Sequence, residues 1–95
     1  MTYSLDFDAR ALKEWQKLDD TVRQQFKKKW VKVLNNPRIE ANRLQGLPDC
    51  YKVKLRSSGY RLGYQVIDQE ITVVVVAVDK RERGQVYQKA AERSS

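Results

Sequence analysis

A chain of 95 residues that is 41% hydrophobic and 33% charged has the size and composition of one folded domain, 1–95. It can bury one modest core, which excludes global disorder and a two-core arrangement. Its formal charge of +7 and its lack of histidine favour a polyanionic partner and exclude His bases, Ser–His or Cys–His pairs and His metal ligands.

Thr2 to Phe7 alternates weakly, with Tyr3, Leu5 and Phe7 against Thr2, Ser4 and Asp6, and predicts a first short strand. No signal peptide is expected, because Asp8 interrupts the opening residues and no apolar h-region is present. Asp8 stands at a helix N-cap position, and Phe7, Ala11, Leu12, Trp15 and Leu18 follow helical spacing. Asp19-Asp20-Thr21 marks a break and a second start, with Thr21 and Gln24 spaced as a capping box. Val22, Phe26, Trp30, Val33 and Leu34 then form an apolar stripe that ends at Asn35-Asn36-Pro37. Two helices joined by so short a link should pack as an antiparallel pair.

Charge is unevenly spread. Residues 1–21 carry three bases against five acids, residues 22–43 seven bases against Glu40, and the remainder nine bases against six acids. The second helix, with Arg23, Lys27, Lys28, Lys29 and Lys32, is therefore the most basic element. It reads either as a solvated helix face or as an electrostatic footprint for a phosphate backbone, and the two readings are compatible. Without a long apolar run or a basic amphipathic helix carrying an aromatic face, nucleic acid fits the charge better than a membrane does.

Pro37 to Asp49 is an irregular connection punctuated by Gly46 and Pro48. From Cys50 the residues alternate, with Tyr51, Val53 and Leu55 on one side and Lys52, Lys54 and Arg56 on the other, as in a half-buried strand. Ser57-Ser58-Gly59 is turn chemistry. A hairpin running to about Ile67 would bring Arg61 toward the same cationic face. A solubilising wet face is the competing reading of these charges. Cys50 is unpaired by count, suits a reducing cytoplasm, and is read as a small core residue.

Asp68-Gln69 predicts a turn, and Glu70 to Val78, with its unbroken β-branched run, predicts a strand central in the sheet. Asp79 to Gly84 is a charged exit loop. Val86, Tyr87, Ala90 and Ala91 predict a short C-terminal helix offering little burial. The resulting order, β-α-α-β-β-β-α, is an α+β domain: a helical hairpin on one face of a largely antiparallel four-stranded sheet. The opposite face is expected to be left free for Lys52, Lys54 and Arg56, with Arg81 and Tyr87 within reach.

The stretches LDFD…ALKEW, PRIEAN, GLPDCYKVKLRSSGYRL and VDKRER…VY, spanning nearly the whole chain, resemble the RelE-type toxins, ribosome-dependent mRNA endonucleases of type II toxin-antitoxin modules. The resemblance implies a microbial-ribonuclease-like fold, a RelB-type antitoxin, and action on mRNA in the ribosomal A site beside 16S ribosomal RNA. It implies catalytic roles for Lys52 and Lys54 beside the scissile phosphate, with Lys54 as base on the ribose 2′-OH. Arg61 would stabilise the transition state, Arg81 would act at the leaving 5′-oxygen, and Tyr87 would stack on or orient a nucleotide. Arg23, Lys27, Lys28, Lys29, Lys32, Arg56 and Arg83 are the expected RNA-binding residues. No cofactor or metal is called for. The chain departs from the family at Gln45, where relatives can carry a base, and at Gly63, where they tend to carry a larger apolar residue.

The chemistry can be weighed without the family. Attack by a 2′-OH needs a base, charge compensation and help for the leaving oxygen. Cations two strand positions apart lie roughly 7 Å from each other. At an effective dielectric of about 20 they repel by roughly 2.4 kcal/mol, so Lys52 and Arg56 favour the neutral form of Lys54. Groups so poorly matched to proton transfer predict a slow free protein and a larger partner that positions the RNA. A non-catalytic RNA- or ribosome-binding module is the alternative, with the same cations merely holding phosphates.

Overall fold

The computed structural model describes residues 2–80 and 84–94. In chain order the elements are β1 (Ser4–Phe7), α1 (Ala9–Gln16), α2 (Asp20–Asn35), β2 (Cys50–Lys54), β3 (Tyr60–Ile67), β4 (Thr72–Lys80) and α3 (Val86–Arg93). Short 3-10 turns at Glu40–Asn42 and Asp68–Glu70 punctuate the connections. The sheet order is β1-β4-β3-β2, with β1 parallel to β4 and the other two pairings antiparallel. This is the expected α+β arrangement, with the Val-rich strand in an inner position.

Asp8 caps α1 as expected, its carboxylate accepting the Arg10 N–H at 2.9 Å. The second helix differs from expectation. It starts one residue before Thr21, Asp19 occupies the N-cap position, and no capping side-chain hydrogen bond forms there. Arg23 holds the junction instead, donating to the carbonyls of Gln16 and Leu18 and to the Asp20 carboxylate. β1 and β4 also shift from their expected bounds. β1 begins at Ser4, and β4 runs from Thr72 to Lys80 because Asp68–Glu70 forms a helical turn and Ile71 adopts a left-handed φ of 50°.

α1 and α2 bury their apolar stripes against one sheet face. Trp15 lies between Phe26 and Trp30, with ring centroids 6.0 and 4.7 Å away, and Phe7 meets both tryptophans. The sheet contributes Tyr51, Val53 and Leu55, Leu62, Tyr64 and Val66, and Val73, Val75 and Val78 to this core. The spacing from Val75 to Val78 breaks the period of two because Gly63 pairs with Ala77 while Tyr64 pairs with Val75, leaving Val76 as a bulge. Val76 therefore joins a second, smaller core with Leu44, Cys50 and Ala90 on the opposite face.

That second core corrects one expectation: the far sheet face is not left free. α3 covers part of it, seating Val86 and Ala90, while Tyr87 and Ala91 stay exposed. Gly63 lets α3 seat closely, since a Cβ there would stand 3.1 Å from Val86 Cγ1. At one end of the sheet Arg38 ties loops together, pairing with Asp68 at 2.6 Å and Asp49 at 2.9 Å, while the Tyr3 hydroxyl also donates to Asp68. The Tyr64 hydroxyl donates to the Pro37 carbonyl at 2.7 Å, and burial raises the pKa of that phenol.

Candidate functional site

The β2–β3 hairpin sets out the cations. Its turn closes through Leu55 N–H to the Tyr60 carbonyl at 2.9 Å and Gly59 N–H to the Leu55 carbonyl at 3.0 Å. Gly59 takes a φ of +74°, a conformation that costs glycine little. Lys52 then lies opposite Gly63, and Lys54 opposite Arg61. Directly opposed residues have Cβ atoms about 4.5–5.5 Å apart, so Lys54 and Arg61 can reach one phosphate together. Arg61 in turn opposes Asp79 on β4. Its Nε is buried and has no hydrogen-bond partner among the described residues.

β2 is the outer strand beyond β3, bridged on its open side by Arg43 opposite Tyr51, and part of α2 faces it. Between them lies a cleft of about 620 Å³ lined by Lys28, Lys29 and Lys32 from α2 and by Lys52, Lys54 and Arg56 from the hairpin. Val33, Ile39, Ala41 and Val53 give the cleft an apolar part, and none of the described acidic side chains lines it. Two groups of cations that the sequence assigned to separate elements thus share one cavity. Such a cleft concentrates positive potential and can track a nucleic-acid backbone.

Tyr87 stands at the start of α3 with 46% of its surface exposed. Its hydroxyl donates to the Gln45 carbonyl, and a Cβ on Gly46 would stand 3.1 Å from that hydroxyl. The ring, rather than the hydroxyl, is therefore what Tyr87 offers to a ligand. Gln45 contributes through its backbone, which answers to no base at that position.

The remaining expected residues are placed as follows. Lys27 is exposed on α2. Arg23 is engaged at the α1–α2 junction, its guanidinium bonded to two carbonyls and Asp20. Arg81 and Arg83 lie outside the described residues. Among the described residues there is no group of three or more His, Cys, Asp and Glu side chains suited to a metal, and no helix long and apolar enough to cross a membrane.

Sequence reasoning missed Glu14. Its carboxylate accepts the Val78 N–H at 3.0 Å and pairs with Lys89 at 2.8 Å and Arg93 at 3.0 Å. Burial pushes the Glu14 carboxyl up, but bonds from Arg93, Lys89 and the Val78 N–H outweigh it and hold the group below the usual glutamate range. The only trace in the sequence is the spacing of Lys89 and Arg93, which puts both on one side of α3.

Comparison with known proteins gives concordant matches. The family model for the ParE toxin of type II toxin-antitoxin system, parDE, matches residues 5–84. The mRNA interferase toxin RelE of Escherichia coli K12 is 67% identical over 93 residues, 98% of each chain. A putative RelE-like toxin protein from Escherichia coli is 56% identical over 93 residues, again 98% of each. A solved structure of E. coli toxin RelE, a double arginine mutant in the free state, matches with a TM-score of 0.92 and 63% identity over all of both chains. The RelE-RelB complex of Pyrococcus horikoshii shares the fold, with a TM-score of 0.63 at 22% identity, over 87% of this chain and 99% of that one. Whole-length identity at this level, on the same sheet and helices, means that the chain belongs to the RelE-type toxins of type II toxin-antitoxin systems.

Proposed function

We propose that this toxin is an mRNA interferase: an endoribonuclease that cleaves mRNA in the ribosomal A site and so stops translation. The observation that carries the proposal is the 67% identity, over 98% of each chain, to the mRNA interferase toxin RelE. The direct pairing of Lys54 with Arg61 beside Lys52 supports it. In the proposed reaction Lys54, in its neutral form, takes the proton from the ribose 2′-OH, and the 2′-oxygen attacks the adjacent phosphorus. The P–O5′ bond breaks, giving a 2′,3′-cyclic phosphate and a 5′-OH, with the 5′-oxygen taking a proton from solvent. Arg61 and Lys52 offset charge on the phosphoryl oxygens, and Arg81 acts at the leaving oxygen, a role for a fixed cation rather than an acid. The Tyr87 ring holds a neighbouring base by stacking.

The proposed partners are the ribosome with its 16S RNA, the mRNA, and an antitoxin of the RelB type, like the one in the E. coli RelBE toxin-antitoxin complex that this chain matches at 69% identity. The cytoplasm is where these partners meet. The functional test is primer extension on translated mRNA with and without the protein, together with analysis of the new ends. Stops within A-site codons and cyclic-phosphate ends are expected. A 5′-phosphate product would overturn the chemistry, and ribosome binding without cleavage would favour a binding module.

The cleft between α2 and β2 gives a separate expectation. Replacing Lys28, Lys29 and Lys32 by Ala should leave the fold intact, since all three are exposed, and should weaken ribosome binding. For single-stranded contacts, three lost phosphate partners should flatten the slope of log affinity against log salt by about 2. Binding curves taken across a salt series check this, and an unchanged slope would rule out phosphate contacts in the cleft.

A further inference from the structure

We propose that Glu14 is a positioning residue for the cleavage site: it fixes α3, and through α3 the Tyr87 ring, against the sheet. The proposal rests on the reading of Tyr87 as a nucleotide-contacting residue. β1 ends at Phe7, which pairs with Val75, but β4 continues to Lys80. Two side chains bond to the edge of β4 past the last β1 partner. Glu14 Oε1 accepts the Val78 N–H at 3.0 Å, and Arg93 Nη1 donates to the Val76 carbonyl at 3.0 Å. The same Glu14 carboxylate receives Lys89 at 2.8 Å and Arg93 at 3.0 and 3.2 Å. One carboxylate, borne by the helix pair on one sheet face, thus holds the helix on the other face at its middle and at its last residue.

This arrangement differs from a solvated ion pair, because the side chains of Glu14, Lys89 and Arg93 are only 20%, 23% and 11% exposed. The apolar hold on α3 is small, with only Val86 and Ala90 buried along the helix. Val86 already sits tightly over Gly63. Tyr87 is the next residue, and its hydroxyl must meet the Gln45 carbonyl beside Gly46. Loosening the charged anchor therefore displaces the ring relative to Lys52, Lys54 and Arg61.

The test uses the full chain carrying Glu14→Gln, Tyr87→Ala or both, in single-turnover cleavage on mRNA-programmed ribosomes across a toxin concentration series. Gln keeps the length and the acceptor for Val78 N–H but removes the charge that holds Arg93 and that shares Lys89 with Asp79, whose carboxylate lies 3.3 Å from the Lys89 ammonium. A thiol reagent reports the seat of α3, because Cys50 is the only cysteine, is fully buried and packs with Ala90. Glu14→Gln should speed Cys50 labelling and slow cleavage at saturation by roughly 10–100-fold, a loss typical of a misplaced group. The half-saturating concentration should not move. In the Tyr87→Ala background the Glu14→Gln loss should vanish, since there is no ring left to place. Parent-rate cleavage by Glu14→Gln alongside a slow Tyr87→Ala would overturn the proposal alone, as would a full, additive loss in the double variant. Parent-rate cleavage by Tyr87→Ala would overturn the Tyr87 reading and the positioning role with it. If Glu14→Gln does not fold, Arg93→Gln loosens the same anchor from the α3 side and is read by the same outcomes.

Discussion

Lys54→Ala and Arg61→Ala are each expected to slow single-turnover cleavage on saturated ribosomes by about 10²–10³-fold. This is the loss typical when one preorganised electrostatic group is removed from a reacting centre, about 2.7–4 kcal/mol. The two side chains are opposed across the hairpin, so in the proposed reaction they act on the same phosphate and their effects should not add in the double variant. Arg81→Ala should behave in the same way. Saturation is the deciding condition. A residue that only clamps a phosphate changes the concentration needed for half-maximal cleavage, whereas one that acts in the transition state lowers the rate even when every ribosome is occupied. Tyr87→Phe, which keeps the ring but gives up its bond to the Gln45 carbonyl, should lose much less rate than Tyr87→Ala. Parent rates in all the cation variants would leave only a binding role for the hairpin.

The second large effect is on stability. Phe26 is completely buried on α2 and meets Trp15 in the aromatic cluster, so Phe26→Ala should cost about 3–5 kcal/mol. For a domain whose total stability is of order 5–15 kcal/mol, that is a large share, and urea denaturation should show a much lower midpoint. The consequence extends to the cleft, because Phe26 lies two residues before Lys28 and holds the helix that forms one wall. Ribosome affinity should therefore fall with stability, although Phe26 carries no charge. An unfolding midpoint close to the parent's would mean that the space at Phe26 collapses without cost.

Much of this was legible in the residues. The alternation of Tyr51, Val53 and Leu55 with Lys52, Lys54 and Arg56 identified the hairpin and its two faces, because a strand with one buried side has a period that little else produces. The Val run of β4 gave an inner strand but concealed the bulge. When every residue is apolar, the pattern carries no record of which side each one takes, and only the Gly63–Ala77 and Tyr64–Val75 pairings show it. Thr21 and Gln24 had capping spacing, yet the junction is held by Arg23 reaching back to Leu18 and Gln16, a contact that no local pattern announces. Glu14 and Arg93 are 79 positions apart, so no local pattern links them. Lys28 and Lys54 belong to different periodicities, so the cleft they share had to be seen in three dimensions.

The parallel pairing of β1 with β4 bears on when this toxin becomes a toxin. Ser4 finds its partner in Thr72 and Phe7 finds its partner in Val75, so the first strand made must wait for the last. Until then, closing the sheet is opposed by the entropy of joining distant chain segments, and long-range pairing of this kind is slow. A nascent chain that stops short of Thr72 carries the residues of β1 and the Lys54–Arg61 hairpin but lacks β4, the strand that joins the two. On the proposed activity, the ribosome that makes the protein is thereby spared a working copy of it through most of synthesis.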